Sequence, residues 1–241
     1  MNHNNDGLSK ALEDIRSGKM VLVYDFDNRE RETDMTIASE FITPDVLKTM
    51  RIDGGGLICT TTPNRVAKEL GLPFLSDVFW NNRNDYPLLG QMAPNDIPYD
   101  NTKSSFGITI NHRRTYTGIT DADRALTIKE YVETIFKDAS AEERSKELGE
   151  HFRAPGHVHL LNTSSKLLKT RHGHTELCTA LMYMAGVRPS ATICEMLGDH
   201  GTSNSKERAM EYSKKNGLCF ITGEQIMEAW EIFLKKTGMD V

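Results

Sequence analysis

The sequence predicts an α/β protein on three observations. Short β-branched or apolar runs, such as Val21–Tyr24 and residues 158–161, recur along the chain. Between them lie segments whose apolar residues repeat every three or four positions, the mark of helices with one buried face. No internal repeat, low-complexity tract or composition break divides the 241 residues, a length that suits one large domain or two small ones.

Leu8, Leu12 and Ile15, with Gly18 as C-terminal cap, predict a helix over residues 7–17. Val21–Tyr24 follows as a buried strand. Met35, Ile37 and Phe41 predict a second strand, after which Thr43 as N-cap and Pro44 at the first helical position open a helix that turns Leu47 and Met50 inward. A tight glycine turn at 53–56 feeds a strand at 57–61, and Thr62 with Pro63 opens a helix ending near Gly71. From 72 to 100 periodicity fails among Pro73, Pro87, Pro94 and Pro98. This stretch is expected to be an ordered excursion or lid that buries Phe74, Phe79, Trp80 and Tyr86.

Phe106, Ile108 and Ile110 alternate as a strand. A polar turn at 117–123 leads to a helix at 125–136, and 141–150 is charged densely enough to be a surface helix. A strand carries Val158, Leu160 and Leu161. The polar segment 171–176 then opens a helix with Leu177, Leu181 and Met184 at helical spacing, Thr175 serving as N-cap or first-turn residue. An apolar strand at 191–197 is interrupted by Glu195. Helices at 206–215 and 223–235 finish the chain, the last capped by Thr222 and striped by Ile226, Met227, Trp230, Phe233 and Leu234.

Composition excludes several classes. No apolar run reaches the roughly 18 residues of a membrane span, and the N-terminus has no signal-peptide pattern, so a cytoplasmic protein without a membrane partner is expected. A formal net charge of -5 argues against nucleic acid as a partner, while leaving room for a small anion held by a few arginines. Cys59, Cys178, Cys194 and Cys219 form no C-x-x-C pair and read as reduced, buried thiols, with a catalytic Cys59 as a minor option.

Chemistry concentrates in a few places. After the first strand, Asp25, Asp27, Glu30, Glu32 and Asp34 crowd into one loop with Arg29 and Arg31. Five neighbouring carboxylates repel unless cations sit among them, so the loop is either a solvated turn or part of a cation site. Residues 171–175 combine an arginine, a glycine and a helix N-terminus, the parts of an anion site, or simply of a capped helix. His172 and His174 are two residues apart, and only one need face a site. One His with one Glu is too few ligands for structural zinc but suits Mg2+ or Mn2+ that keeps waters. Glu195, inside ATICEML, must be paired, protonated or employed, unless it points to solvent from a strand edge. His157, beside a strand, is either a satisfied core residue or a catalytic one. The glycines at 54–56 form no dinucleotide or P-loop fingerprint.

Read together, YDFDNRERETDM (24–35), DGGGLICT (53–60), PNDIPYD (94–100), TGITDADRA (117–125), RAPGHVHLL (153–161), RHGHTE (171–176) and TICEMLGD (192–199) resemble, in order, the 3,4-dihydroxy-2-butanone 4-phosphate synthases of riboflavin biosynthesis, particularly their archaeal stand-alone form. The resemblance implies a mixed sheet flanked by helices, in the fold shared with YrdC-like proteins. It implies a single synthase domain over 1–241, without a GTP cyclohydrolase II domain, and a homodimer with active sites near the interface. The activity implied is a divalent-metal-dependent lyase that converts the phosphosugar D-ribulose 5-phosphate to L-3,4-dihydroxy-2-butanone 4-phosphate and formate. Glu30 and His174 match the metal ligands. Arg29, Asp34, Thr117 and the run Arg171, His172, Gly173, His174 and Thr175 match substrate-binding positions, with Glu30 and Glu195 also at the substrate. Glu195 and His157 fall on positions essential for the chemistry, and Asp25 and Asp27 on residues lining the site, where the pair is expected to share proton transfers with Glu195. Two positions depart from the pattern: Arg31 stands where a small or neutral residue such as Gly or Asn is usual, and Asn28 replaces a common acid. The alternatives are another metal-dependent ketose-phosphate isomerase or aldolase, or a YrdC-like nucleotide-binding protein.

Overall fold

A computed structural model describes residues 3–94, 96–100 and 102–240. Asn95, within the motif at 94–100, lies outside the described residues. The strands are β1 (Val21–Tyr24), β2 (Thr33–Ala38), β3 (Cys59–Thr62), β4 (Phe106–His112), β5 (Phe152–Asn162), β6 (Ala191–Glu195) and β7 (Cys219–Thr222). The helices are α1 (His3–Arg16), α2 (Pro44–Thr49), α3 (Asn64–Leu70), α4 (Leu75–Asn81), α5 (Pro87–Met92), α6 (Asp121–Ile135), α7 (Ala141–His151), α8 (His174–Ala185), α9 (Lys206–Asn216) and α10 (Gly223–Thr237).

The strands form one mixed sheet in the order β4-β5-β3-β6-β2-β1-β7. β1 with β7 and β3 with β5 run parallel, and the other neighbours are antiparallel. Val21 and Val23 pack with α1, α8 and α10 on one face, whereas Leu22, Met35 and Ile37 pack with α2, α6 and α9 on the other. Burial on both faces is why β1 reads as an unbroken apolar run instead of an alternation.

Local signals act where the sequence places them at several points. Thr43 accepts a hydrogen bond from the Val46 N–H and Pro44 occupies the first turn of α2. Thr222 and Gln225 form a reciprocal capping box on α10, whose Ile226 and Trp230 are buried. α7 has no buried residue, as its charge density requires.

Other expectations are corrected. Phe41 is not in β2, because the chain turns through a short 3-10 segment at Ser39–Phe41. Residues 50–54 form one π-helical turn ahead of the left-handed Gly55, instead of a simple glycine turn. Thr62 caps no helix: it ends β3, its hydroxyl 2.7 Å from the Tyr131 hydroxyl, and the Asn64 N–H that begins α3 donates to Thr163 Oγ1. The excursion after Gly71 contains α4 and α5, but of its four aromatics Phe74 and Phe79 are only half-buried and Trp80 and Tyr86 are 48% and 63% exposed. Trp80 instead faces the Arg83 guanidinium. β5 begins six residues before the predicted strand, and β7 was not predicted at all.

Candidate active site

Between β1 and β2 the chain wraps around one carboxylate. Asp25 is fully buried and accepts hydrogen bonds from the Glu30 and Glu32 N–H groups at 2.9 and 3.0 Å, with Arg29 Nη1 at 3.4 Å. This sorts the acidic cluster by side. Asp25 sits inside the loop, while Glu30, Glu32 and Asp34 line a cavity of about 440 Å³. Asp27 points away from it, with a side chain 77% exposed, and meets the Tyr24 hydroxyl at 2.7 Å and Lys206 Nζ at 3.3 Å. These two partners hold Asp27 below its usual range. Arg31 is in the left-handed region at φ 59°, which explains why Gly or Asn suits this position. Its Nε donates to the Asp27 carbonyl at 2.5 Å, closing the turn.

Strand register supplies the cavity floor. Asp34 on β2 lies directly opposite Glu195 on β6. His174, first residue of α8, meets the Asp34 end of this pair. Its Nδ1 is 3.2 Å from Glu30 Oε2 and its Nε2 is 3.7 Å from Asp34 Oδ1 and 3.2 Å from the Glu32 carbonyl. Burial alone would favour the neutral ring, but Asp34 and Glu30 outweigh it and raise His174 to about 10. Burial likewise opposes charge on Glu30, yet His174 and the arginines bring it down to about 2. Asp34 is pushed well above the usual carboxylate range, by burial first, with His174 opposing and the charge of Glu195 adding. Its Oδ1 has no hydrogen-bond donor among the described residues. Glu195 is held by the Leu57 N–H, which donates to Oε2 at 2.7 Å. Residue 56 must be glycine for this, because a Cβ there would stand 2.4 Å from the same oxygen.

The opposite wall is cationic. Arg171 is gripped by Asp100 through Nε and by the buried Glu176 through Nη1, each at 2.8 Å. Gly173, not Thr175, is the N-cap of α8, and Thr175, in its first turn, lines the same cavity as Arg171. A Cβ on Gly173 would fall 2.2 Å from Arg171 Nη1. A helix N-terminus with a fixed guanidinium beside it is suited to a phosphate.

Arg29, Glu30, Asp34, Arg171, His174, Thr175 and Glu195 therefore share one cavity, with Asp25 supporting the loop that carries Glu30. Of the other residues singled out from the sequence, Asp27, Thr117, His157, His172 and Gly173 do not line it. Asp27 lies on the outer side of its loop, and the exposed His172 lies 6.1 Å from the Phe26 ring in a tilted arrangement. His157 is exposed and bonds through its backbone N–H and its Nδ1 to Asn111, against which Gly118, next to Thr117, also packs. Thr117 and His157 thus form a second patch. Sequence reasoning missed Asp100 and Glu176 as site residues and gave Glu32 no role beyond the acidic loop, although each lies in a motif quoted for the resemblance. Asp25, Glu30 and His174 offer ligand atoms within 4.8 Å of one another, and this carboxylate-imidazole set fits a small divalent cation.

The family profile described as 3,4-dihydroxy-2-butanone 4-phosphate synthase matches residues 9–229. The synthase of Methanothermobacter thermautotrophicus is 46% identical over 227 residues, covering 94% of this chain and 96% of that protein. That of Archaeoglobus fulgidus is 44% identical, covering 93% and 94%. The Candida albicans synthase structure superposes with a TM-score of 0.69 at 27% identity, over 92% of this chain and 96% of that one. A further synthase structure, in complex with two magnesium ions, superposes with a TM-score of 0.71 at 24% identity, over 97% and 99%. Neither the isomerase or aldolase reading nor the YrdC-like reading is favoured by these matches. The chain belongs to the 3,4-dihydroxy-2-butanone 4-phosphate synthase family, the lyases that serve riboflavin biosynthesis.

Proposed function

We propose that the cavity holds D-ribulose 5-phosphate between a divalent cation at Glu30 and His174 and an anion site at Arg171 and Thr175, and converts it to L-3,4-dihydroxy-2-butanone 4-phosphate and formate. The observation that carries this reading is the pair Glu30 Oε2 and His174 Nδ1, 3.2 Å apart, in the same cavity as a guanidinium fixed beside a helix N-terminus. Mg2+ or Mn2+, when bound, supplies positive charge for the oxyanion formed on enolisation, a contribution of several kcal/mol.

The protein's own groups divide the proton transfers. Glu195, fixed by the Leu57 N–H through Oε2, acts as base through its other oxygen on the carbon next to the ketone. Asp34, raised above the usual carboxylate range, is suited to donate a proton in the dehydration that follows. The shared transfer role expected of Asp25 and Asp27 is reassigned. Asp25 spends its acceptors on two backbone N–H groups and Arg29, and Asp27 faces away from the cavity. Arg29 screens the charge of Glu30, at 2.8 Å. Skeletal migration then takes place with the phosphate held at Arg171, and re-addition of one water, replacing that lost in the dehydration, releases C4 as formate.

His157 and Thr117 join the site, in this reading, from the second copy of a homodimer. Their patch carries Tyr116, 95% exposed, and Ile119, 52% exposed, apolar surface suited to an interface. Mixing inactive His157→Ala and inactive Glu195→Gln protomers then restores about a quarter of wild-type activity, since half of the hybrid dimers' sites are intact. No restoration after subunit exchange contradicts the shared site. No described helix is long and apolar enough to cross a membrane, and the cytoplasm is the compartment proposed. The reaction itself is tested by incubating purified protein with ribulose 5-phosphate and Mg2+. Formate is the expected product, and an isomerised or cleaved sugar without formate rejects the reading.

A further inference from the structure

One carboxylate joins the two arginines of the cavity wall. Asp100 Oδ2 accepts from Arg29 Nη2 at 2.9 Å and from Arg171 Nε at 2.8 Å. Its other oxygen, Oδ1, accepts from the Thr102 N–H at 2.9 Å and the Thr102 hydroxyl at 2.6 Å, so the carboxylate cannot rotate freely. The three side chains are nearly enclosed, at 7% exposure for Asp100, 6% for Arg29 and 13% for Arg171. No described residue from 75 to 99 is buried, yet Asp100, which ends this excursion, is.

Each arginine is also gripped from a second side. Arg29 Nη1 meets Glu30 Oε2 at 2.8 Å, at the metal end of the proposed site, and Arg171 Nη1 meets Glu176 Oε2 at 2.8 Å, at the phosphate end. A planar guanidinium held at one nitrogen can still swing about that bond. Held at Nε and Nη1 together, its plane is fixed, and Nη2, which has no acceptor among the described residues, has one direction left.

Resting on the reading above, we infer that Asp100 is a positioning residue: it fixes the Arg171 fork for the substrate phosphate and ties it to Arg29, keeping the two ends of the site at one spacing. Asp100 touches no reacting atom and acts through Arg171. Removing it leaves Arg171 on Glu176 alone, free to rotate away from the anion.

The test measures formate release and competitive inhibition by inorganic phosphate in Asp100→Ala and Asp100→Asn, with Arg171→Met as control. In Asp100→Ala, KM for ribulose 5-phosphate and Ki for phosphate rise together about tenfold, while kcat stays within about threefold. Asp100→Asn, which keeps one acceptor and the shape of the side chain, gives a smaller rise of both and covers the case in which the alanine variant does not fold. A merely structural role would lower thermal stability or kcat and leave Ki unchanged, and that result overturns the inference. A lowered Ki also overturns it, since Asp100 would then only screen the arginines. If Arg171→Met leaves Ki unchanged, the anion site itself is misassigned. If Arg171→Met raises Ki and neither Asp100 variant does, the anion site stands and the role of Asp100 falls.

Discussion

Gly56→Ala is the sharpest test of how Glu195 is held, because the added atom has nowhere to go. Its Cβ would stand 2.4 Å from Glu195 Oε2, 2.7 Å from Glu195 Cβ and 2.7 Å from the Glu195 carbonyl oxygen, where ordinary contact begins at 3.4 Å. A rotamer change relieves only the first overlap. The carbonyl accepts from the Gly56 N–H at 3.1 Å, so strand and turn must separate by several tenths of an ångström as well. The carboxylate shifts by about 1 Å and loses the Leu57 N–H, and a displacement of that size in a reacting group costs about 100-fold in rate. Losing a hydrogen bond to a charged acceptor costs about 1.5–3 kcal/mol, which lowers Tm by roughly 3–12 °C in a chain of this size. Positive φ is not involved at residue 56, so backbone strain does not confuse the result. The assay is kcat for formate release, measured well below Tm, with divalent-cation affinity as a control that stays at the wild-type value. A Gly56→Ala enzyme with kcat within threefold of wild type refutes the view that this placement of Glu195 matters.

Three further outcomes follow from the same geometry. Gly173→Ala places a Cβ 2.2 Å from Arg171 Nη1 and 2.9 Å from Arg29 Nη2, so KM for the phosphosugar rises about tenfold or more; unchanged KM in steady-state assays would count against the anion site. In the metal-free protein, His174 lies above its ordinary 6.5, at about 10, and contributes stability fully below pH 6.5 that is lost as pH rises through 10. Glu30 lies below its ordinary 4.5, at about 2, and contributes stability above pH 4.5 that is lost as pH falls toward 2. Thermal melts with chelator should therefore weaken toward both extremes, and His174→Gln should flatten the alkaline limb. Arg31→Gly relieves a left-handed residue, worth about 1–2 kcal/mol, while adding about 0.4–1 kcal/mol of unfolded-state entropy. Its Tm should match or slightly exceed wild type with activity retained, whereas Arg31→Val should melt several degrees lower.

Elements that depend on local chemistry were legible in the sequence. The Thr43-Pro44 start of α2, the apolar stripe of α10 and the doubly buried β1 each carry their own signal. β7 was not legible, since Cys219–Thr222 is four residues long and exists by pairing with β1. Sequence spacing gave Asp25 and Asp27 equal standing. They separate because the former turns inward to bind the loop's own N–H groups, a result of loop conformation that no periodicity encodes. Glu195 needed the register of β2 against β6, and the Leu57 N–H 138 positions away, before solvent could be excluded as its destination. Arg31, which looked only like an unexpected charge, is decided by a backbone angle. The resemblance matched Asp100 and Glu176 within its motifs, but their hold on Arg171 is visible only in three dimensions.

The central claim is that Glu30 and His174 bind the divalent cation on which formate production depends. The direct measurement is formate released per ribulose 5-phosphate consumed by the wild type and by Glu30→Gln and His174→Ala, with titrated Mg2+ and with chelator. One formate per sugar is expected from the metal-loaded wild type, with none under chelation and a loss of both cation binding and formate in the two variants. Full activity in either variant, or sugar consumed without formate, would contradict the account.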